Sequence, residues 1–279
     1  MKALAEIGAA ARLDLAEILR SRWMAFSVSI YALLAAIFVL VGLRESSILG
    51  FTGMGRVLFS LCHALVLVLP LLALTATMHV INRARDDGTL ELLFTLPLRR
   101  STYFAGVSLT RYAMLVLPLL VLLPGLALGG LIFTGQAVPW AFLGRTLAVS
   151  ASLLAAFTGL GLFVSTAVRH QARALLAALL LWVGAVALLD FALVGLMLQW
   201  RLSPESVLVL AALNPVQAAR LALVAGAEPD LATLGPVGFF LAERLGGGAL
   251  LTLGIVWPAV VGLVSWALAN RSFRRGDLV

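Results

Sequence analysis

The chain has 279 residues, 62% of them hydrophobic and 12% charged, with a net charge of +7. Soluble globular domains carry about a quarter charged residues, so this composition excludes one and indicates an all-α integral membrane protein. The basic excess flanks apolar runs, where arginines act as topology signals, and no nucleic-acid partner is expected.

Residues 1–22 read as an amphipathic interface helix. Leu4, Ile7, Leu15, Ile18 and Leu19 alternate with Glu6, Arg12, Asp14, Glu17 and Arg20 at helical spacing. No cleavable signal is read here. Trp23 to Leu43 is long enough to cross a hydrocarbon core of about 30 Å. A short loop, Arg44 to Arg56, follows, and Val57 to Val80 crosses back.

Residues 83–111 form a charged interruption bracketed by Arg83, Arg85, Arg99, Arg100 and Arg111. Asp86, Asp87 or Gly88 can cap a short helix by satisfying its first free N–H groups. Leu90, Leu93 and Phe94 then fall on one stripe. Pro97 ends the helix, and Ser101 or Thr102 can start the next. An acidic head with an apolar stripe suits a groove on a soluble partner. An ordinary loop held to the membrane by arginines is the plain alternative.

The third span covers Tyr112 to Phe133, with Pro118 and Pro124 inside it. The fourth runs from Trp140 to Val168, where Gly159 and Gly161 permit close helix packing. A polar turn, Arg169 to Arg173, leads to the fifth span, Ala174 to Leu198. Residues 199–248 are the longest segment outside the spans. Asn214 and Pro215 begin a short helix there, with Val216, Ala219, Arg220 and Leu223 on one side. The sixth span is Ala249 to Ala269.

Six spans put both termini on one side. Of the 20 basic residues, Arg44, Arg56, Arg145, Arg201, Arg220 and Arg244 fall opposite and the rest fall on the terminal side. The positive-inside rule then places the termini and residues 83–111 in the cytoplasm. Residues 199–248 lie outside, where Asn214, Gln217 and Arg220 can present a hydrogen-bonding surface.

Catalytic signatures are missing. There is no G-x-x-x-x-G-K-[ST] run, so any ATP and Mg belong to another subunit and this chain is not itself an enzyme. Cys62 and His63 are soft-ligand candidates for Cu(I), but Cys62 and His79 would be roughly 25 Å apart along a helix. A lone cysteine in a span is more often packing. Asp190 is an ionisable residue at membrane depth, which makes it a candidate proton site or a paired structural acid.

The run Asp86-Asp87-Gly88-Thr89-Leu90-Glu91-Leu92-Leu93, then Leu96-Pro97-Leu98, resembles the coupling-helix signature of ABC-2 type permeases. It lies between the second and third of six spans, as in that family. The resemblance implies a single domain over residues 1–279: six transmembrane helices, an N-terminal interface helix, a cytoplasmic coupling helix and short periplasmic helices before the sixth span. It also implies a homodimer in a bacterial inner membrane with two cytoplasmic ABC ATPase subunits. These would dock through Asp86, Asp87, Gly88, Thr89, Leu90, Glu91, Leu93 and Phe94. The stretch from Leu93 to Gly106, the Leu213-Asn214-Pro215-Val216 motif and the Arg274 to Leu278 tail look like the permease branch that serves nitrous oxide reductase maturation. That branch implies a periplasmic copper-handling partner. The alternatives are an ABC-2 exporter of a drug, lipid or sulfur compound through the dimer interface, or an ion-coupled carrier using Asp190.

Overall fold

The computed structural model describes residues 2–21, 25–37, 54–135, 138–188, 206, 209, 212–227 and 246–276. Apolar runs of this length can satisfy their backbone groups in lipid by coiling on themselves, and the regular elements among the described residues are all helices. They are α1 (Lys2–Arg20), α2 (Ala25–Ile37), α3 (Met54–Thr77), α4 (Val80–Asp86), α5 (Thr89–Phe94), α6 (Arg100–Thr134) and α7 (Trp140–Ala167). Next come α8 (Gln171–Val183), running into a π-helical turn over Gly184–Leu188, then α9 (Pro215–Ala227) and α10 (Gly246–Arg275).

Among the described residues, five helical stretches are long and apolar enough to cross a membrane: Ala64–Asp86, Arg100–Ile132, Trp140–Ala167, Gln171–Leu188 and Gly246–Arg275. The expected first span is represented by the shorter apolar helix Ala25–Ile37, and its remainder lies outside the described residues. So do Asp190, the end of the fifth span and much of the 199–248 segment.

Helix α7 is the centre. It crosses α10 where Gly159 meets Gly262, and a Cβ on Gly262 would sit 2.6 Å from the Ala155 carbonyl. The two backbones therefore touch, as small residues allow in membrane helices. Helix α3 packs on another side of α7, and α9 lies along α10 and α7. At the α1 end, a second small cluster joins Ala10, Val80, Ile81, Leu90, Tyr103, Phe104, Leu162, Ala269 and Phe273.

Helix α6 starts at Arg100, next to the start read at Ser101 or Thr102, and runs unbroken into the third span, so Arg111 lies inside the helix. One expectation needs correction. Asp14, expected on the polar face of α1, is buried against Arg111. Arg111 Nη2 donates to Asp14 Oδ1 at 2.7 Å, and Nε to both oxygens at 3.1 Å. Arg111 Nη1 also reaches the Ala76 carbonyl at 3.5 Å. The physical reason is desolvation: a guanidinium well inside an apolar helix must find a carboxylate, and α1 brings one. The expected stripe of α1 divides accordingly. Ile18 is buried with Ala10 and Asp14, while Leu4 and Leu19 stay exposed.

Three further contacts fix α1 on α6. Thr102 Oγ1 donates to Glu6 at 2.9 Å, Thr110 Oγ1 to the Ala11 carbonyl at 3.4 Å, and Gly106 admits Ala10 and Ile7 at close approach. Burial pushes the Asp14 carboxyl above its ordinary range, against the lowering pull of Arg111.

Removing one partner strands a buried charge, which costs about 3–5 kcal/mol, whereas an apolar replacement of both is often near neutral. Arg111→Met should therefore destabilise the protein strongly, and Arg111→Met with Asp14→Leu should recover most of the loss. Unfolding in detergent measures both. A double variant as unstable as Arg111→Met would contradict the pairing.

Candidate functional site

Helices α4 and α5 make a tight hairpin at the α1 end. Asp86 closes α4, Asp87 is its C-cap, and Gly88 turns the chain with φ 67° in the left-handed region. Of the three capping candidates read from sequence, Gly88 occupies the N-cap of α5. No side chain bonds the first turn; the Gly88 carbonyl accepts from the Leu92 N–H at 3.2 Å. Asp87 instead pairs with Arg83 at 3.4 Å on an exposed surface. Asp86 accepts from Gln171 at 3.5 Å. After α5, turns through Thr95 and Leu96 lead past Pro97 to extended Arg99, which caps α6.

The six-residue helix α5 has two apolar faces. Leu90 is fully buried in the cluster with Phe104 and Phe273, and Leu93 and Phe94 are half-buried against it. The Phe94 ring lies 5.9 Å from Tyr103 and 6.2 Å from Phe273, and the Arg100 guanidinium sits 5.8 Å over it. Arg100 Nη1 donates to the carbonyls of Arg274 at 3.3 Å and Gly276 at 3.0 Å, joining α5 and α6 to the end of α10. This takes Leu90 alone out of the expected docking stripe. Leu90 faces the protein's own core and is closed to a partner, because aromatic side chains of α6 and α10 already cover that face.

The outward face is different. Leu92 is 72% exposed and Leu96 59% exposed. Leu92 lies on α5 and Leu96 in the turn that follows it, and Asp86, Asp87, Thr89 and Glu91 of the same hairpin are exposed as well. Reading the sequence for one stripe missed Leu92 and Leu96. With leucine or phenylalanine at 90, 92, 93 and 94, the pattern is apolar all round, and its outer side shows itself only once Phe104 and Phe273 are in place.

The other candidates fall apart from this hairpin. Asn214 is buried: its Oδ1 accepts from the Val216 N–H at 3.0 Å, capping α9, and its Nδ2 donates to the Ala185 carbonyl at 2.5 Å. Ala185 lies in the π-helical turn, where the backbone ladder is interrupted and a carbonyl is open to a side-chain donor. Gln217 is also buried, and Arg220 is half-buried. Asn214 therefore fastens α9 to α8 rather than facing outward, which corrects its expected place in a partner-contact surface. Cys62 is buried and donates to Thr146 Oγ1 at 3.5 Å. The His63 side chain lies outside the described residues. No group of three His, Cys, Asp or Glu that could hold a metal occurs among the described residues.

A family model described as ABC-2 family transporter protein matches residues 9–278. The chain is 29% identical over 280 aligned residues to the probable ABC transporter permease protein NosY of Stutzerimonas stutzeri, covering 95% of this chain and 96% of that protein. It is 31% identical over 258 residues to the probable ABC transporter permease protein NosY of Pseudomonas aeruginosa, covering 87% of this chain and 94% of that protein.

Gly88 offers a direct check on the hairpin. A Cβ there would meet nothing within 4 Å, so the penalty for a side chain comes from φ alone. Gly88→Ala should cost about 1–2 kcal/mol, and Gly88→Asn less, because asparagine tolerates this region. Equal stability of wild type, Gly88→Ala and Gly88→Val in thermal unfolding would contradict the left-handed turn.

Proposed function

The chain belongs to the ABC-2 transporter family, and we propose on that footing that it couples ATP hydrolysis by separate ATPase subunits to an event on the opposite face of the membrane. It is a multi-pass membrane permease subunit. The proposed setting is a bacterial inner membrane, with both termini and the α4–α5 hairpin in the cytoplasm, a second copy of the chain and two ABC ATPase subunits. ATP and Mg belong to those subunits.

One observation carries the reading. The 30-residue helix α10 touches the hairpin at one end and the α9 segment at the other. At the first end Phe273 packs on Phe94 and Phe104. Toward the second, Gly254 lies against Ala218 and Ala222 of α9, with the Ala218 carbonyl 2.7 Å from where a Cβ would be. From Gly254 to Phe273 about 28 Å of continuous helix, at about 1.5 Å per residue, thus joins the two surfaces. Closure of the ATPase subunits would pull the exposed face of α5, and α10 would carry that displacement to α9 as a rigid body. Differential contact with the partner in the two states is what such coupling requires.

The periplasmic event we propose is copper-site maturation of nitrous oxide reductase, through a periplasmic copper-handling partner. The resemblance of the coupling stretch, the Leu213 to Val216 motif and the tail supports this, as does similarity to two permeases named NosY. The described spans are lined by hydroxyls more than by ionisable groups, so a bare metal ion crossing here would meet a large desolvation penalty. The permease in this reading transmits motion and does not conduct.

Docking through Leu92 and Leu96 would contribute about 1.5–3 kcal/mol for each side chain buried. Leu92→Asp with Leu96→Asp should release the ATPase subunits on co-purification while the permease still inserts. Leu90→Ala should instead destabilise the permease by about 2–5 kcal/mol. In a denitrifying host, the Leu92→Asp, Leu96→Asp variant should leave the reductase without its full copper. Retention of the ATPase subunits would remove the docking assignment. Copper flux into proteoliposomes holding the permease and ATPase subunits alone would replace transmission with conduction.

A further inference from the structure

Helix α8 begins beside the hairpin, and the groups around its first residue are cationic. Gln171 Nε2 donates to Asp86 Oδ2 at 3.5 Å, which brings the last turn of α4 against the start of α8. Arg85 stands next to Asp86, while Arg169 and Arg173 flank Gln171 in the chain. Arg169 and Arg173 are exposed. Arg85 is half-buried, and a Cβ on Gly276 at the end of α10 would sit 3.6 Å from its Nη2.

These charges are not met from within the protein. Arg169 sets a like charge near Arg85, with Asp86 as the opposing one. Asp87 is committed to Arg83. Among the described residues no carboxylate forms an ion pair with Arg85, Arg169 or Arg173. Arg85 Nε is enclosed without an acceptor, which leaves the terminal nitrogens of that guanidinium as the ones an anion can reach. The first turn of α8 adds to the same field. His170 caps it with extended backbone, and no side chain bonds its free N–H groups, which attract negative charge.

Position identifies the anion. The apolar stretch Gln171–Leu188 has 18 residues, about 27 Å of helix at about 1.5 Å per residue. That length barely spans a hydrocarbon layer of about 30 Å, so Gln171 must stand at its edge, level with the lipid headgroups. The protein covers little of this stretch. Leu176 is 61% exposed and Leu180 71% exposed, and both follow Arg173 on one helical face. A lipid whose chain lies along that face carries its phosphate to the arginines. A free phosphate or an acidic protein surface would meet the charges and leave the leucines uncovered.

We propose that Arg85, Arg169 and Arg173 bind the headgroup phosphate of an anionic phospholipid in the leaflet on the hairpin's side, with an acyl chain along Leu176 and Leu180. Three cations beside Asp86 favour a lipid of net negative charge over a zwitterionic one. The phosphate would offset the repulsion between Arg85 and Arg169 and join the end of α4 to the start of α8. The inference stands independently of the ATPase and copper readings.

The test uses the purified full-length permease chain in nanodiscs of phosphatidylcholine, with a trace of phosphatidylglycerol carrying a diazirine in its acyl chain. Labelling should concentrate on the peptide from Leu175 to Leu180. Unlabelled phosphatidylglycerol should compete it away, and inorganic phosphate should not. Phosphatidylcholine with the same diazirine should label weakly and evenly. Arg169→Gln should lower the phosphatidylglycerol labelling about fivefold, as expected for one arginine at an anionic surface. The triple variant Arg85→Gln, Arg169→Gln, Arg173→Gln should abolish it, while Arg20→Gln, which removes the same charge from α1, should leave it unchanged. If the triple variant does not fold, the wild-type competition and Arg169→Gln decide the matter. Even labelling over the spans, equal labelling by the two lipids, or no loss in Arg169→Gln would overturn the proposal. So would competition by inorganic phosphate, which would assign the arginines to a soluble anion. Efficient crosslinking of Arg169→Cys to a soluble subunit in the assembled complex would overturn it too, by assigning them to an acidic protein surface.

Discussion

The buried pair Asp14–Arg111 is the constraint from which the α1 end of the molecule follows. Arg111 stands inside a 35-residue helix, and its guanidinium donates three bonds to one carboxylate. A charge so placed cannot be left to water, and the carboxylate that meets it lies on a different helix. Helix α1 is therefore not free to float at the interface. It is held on α6 at Asp14, at Glu6 through Thr102, and at Gly106 by direct backbone approach. With α1 fixed, Ala10 completes the cluster that also receives Leu90, Phe104 and Phe273.

That cluster decides what α5 can offer. Its inner side chains are committed to α6 and α10, and Arg100 ties the same point to the last carbonyls of α10. The hairpin is thus part of a body that includes the ends of two spans, and its exposed leucines are the surface of that body. In the proposed coupling, a push on Leu92 and Leu96 would reach α10 through packed aromatic rings. From there the Gly159–Gly262 crossing would pass it to α7, and the Gly254 contact to α9. Interfaces packed this closely shift as units rather than deform.

Much of this architecture was legible in the sequence because it is written as length and polarity. The apolar runs, the Asn214-Pro215 start of α9 and the position of the hairpin follow from rules that need no partner. The fourth span was placed to within a residue at its far end, where Val168 caps α7. What escaped the sequence depends on contacts far apart in the chain. Asp14 looked like one more polar residue on an amphipathic helix until Arg111 was seen beside it. The depth of Arg111 within a helix beginning at Arg100 was the available signal. Asn214 looked like a surface residue because its acceptor, Ala185, is freed by a π-helical turn that no composition announces. Leu90 and Leu92 have the same chemistry and neighbouring positions, and tertiary packing alone separates their roles.

The central claim is that α5 turns Leu90 into its own protein and Leu92 toward the ATPase subunit. A photocrosslinking amino acid placed at position 92, and separately at position 90, in the assembled complex tests it directly. The account predicts that position 92 crosslinks to the ATPase subunit and position 90 to α6 or α10 of the same permease chain. Crosslinks to the ATPase subunit from position 90, with none from position 92, would contradict it.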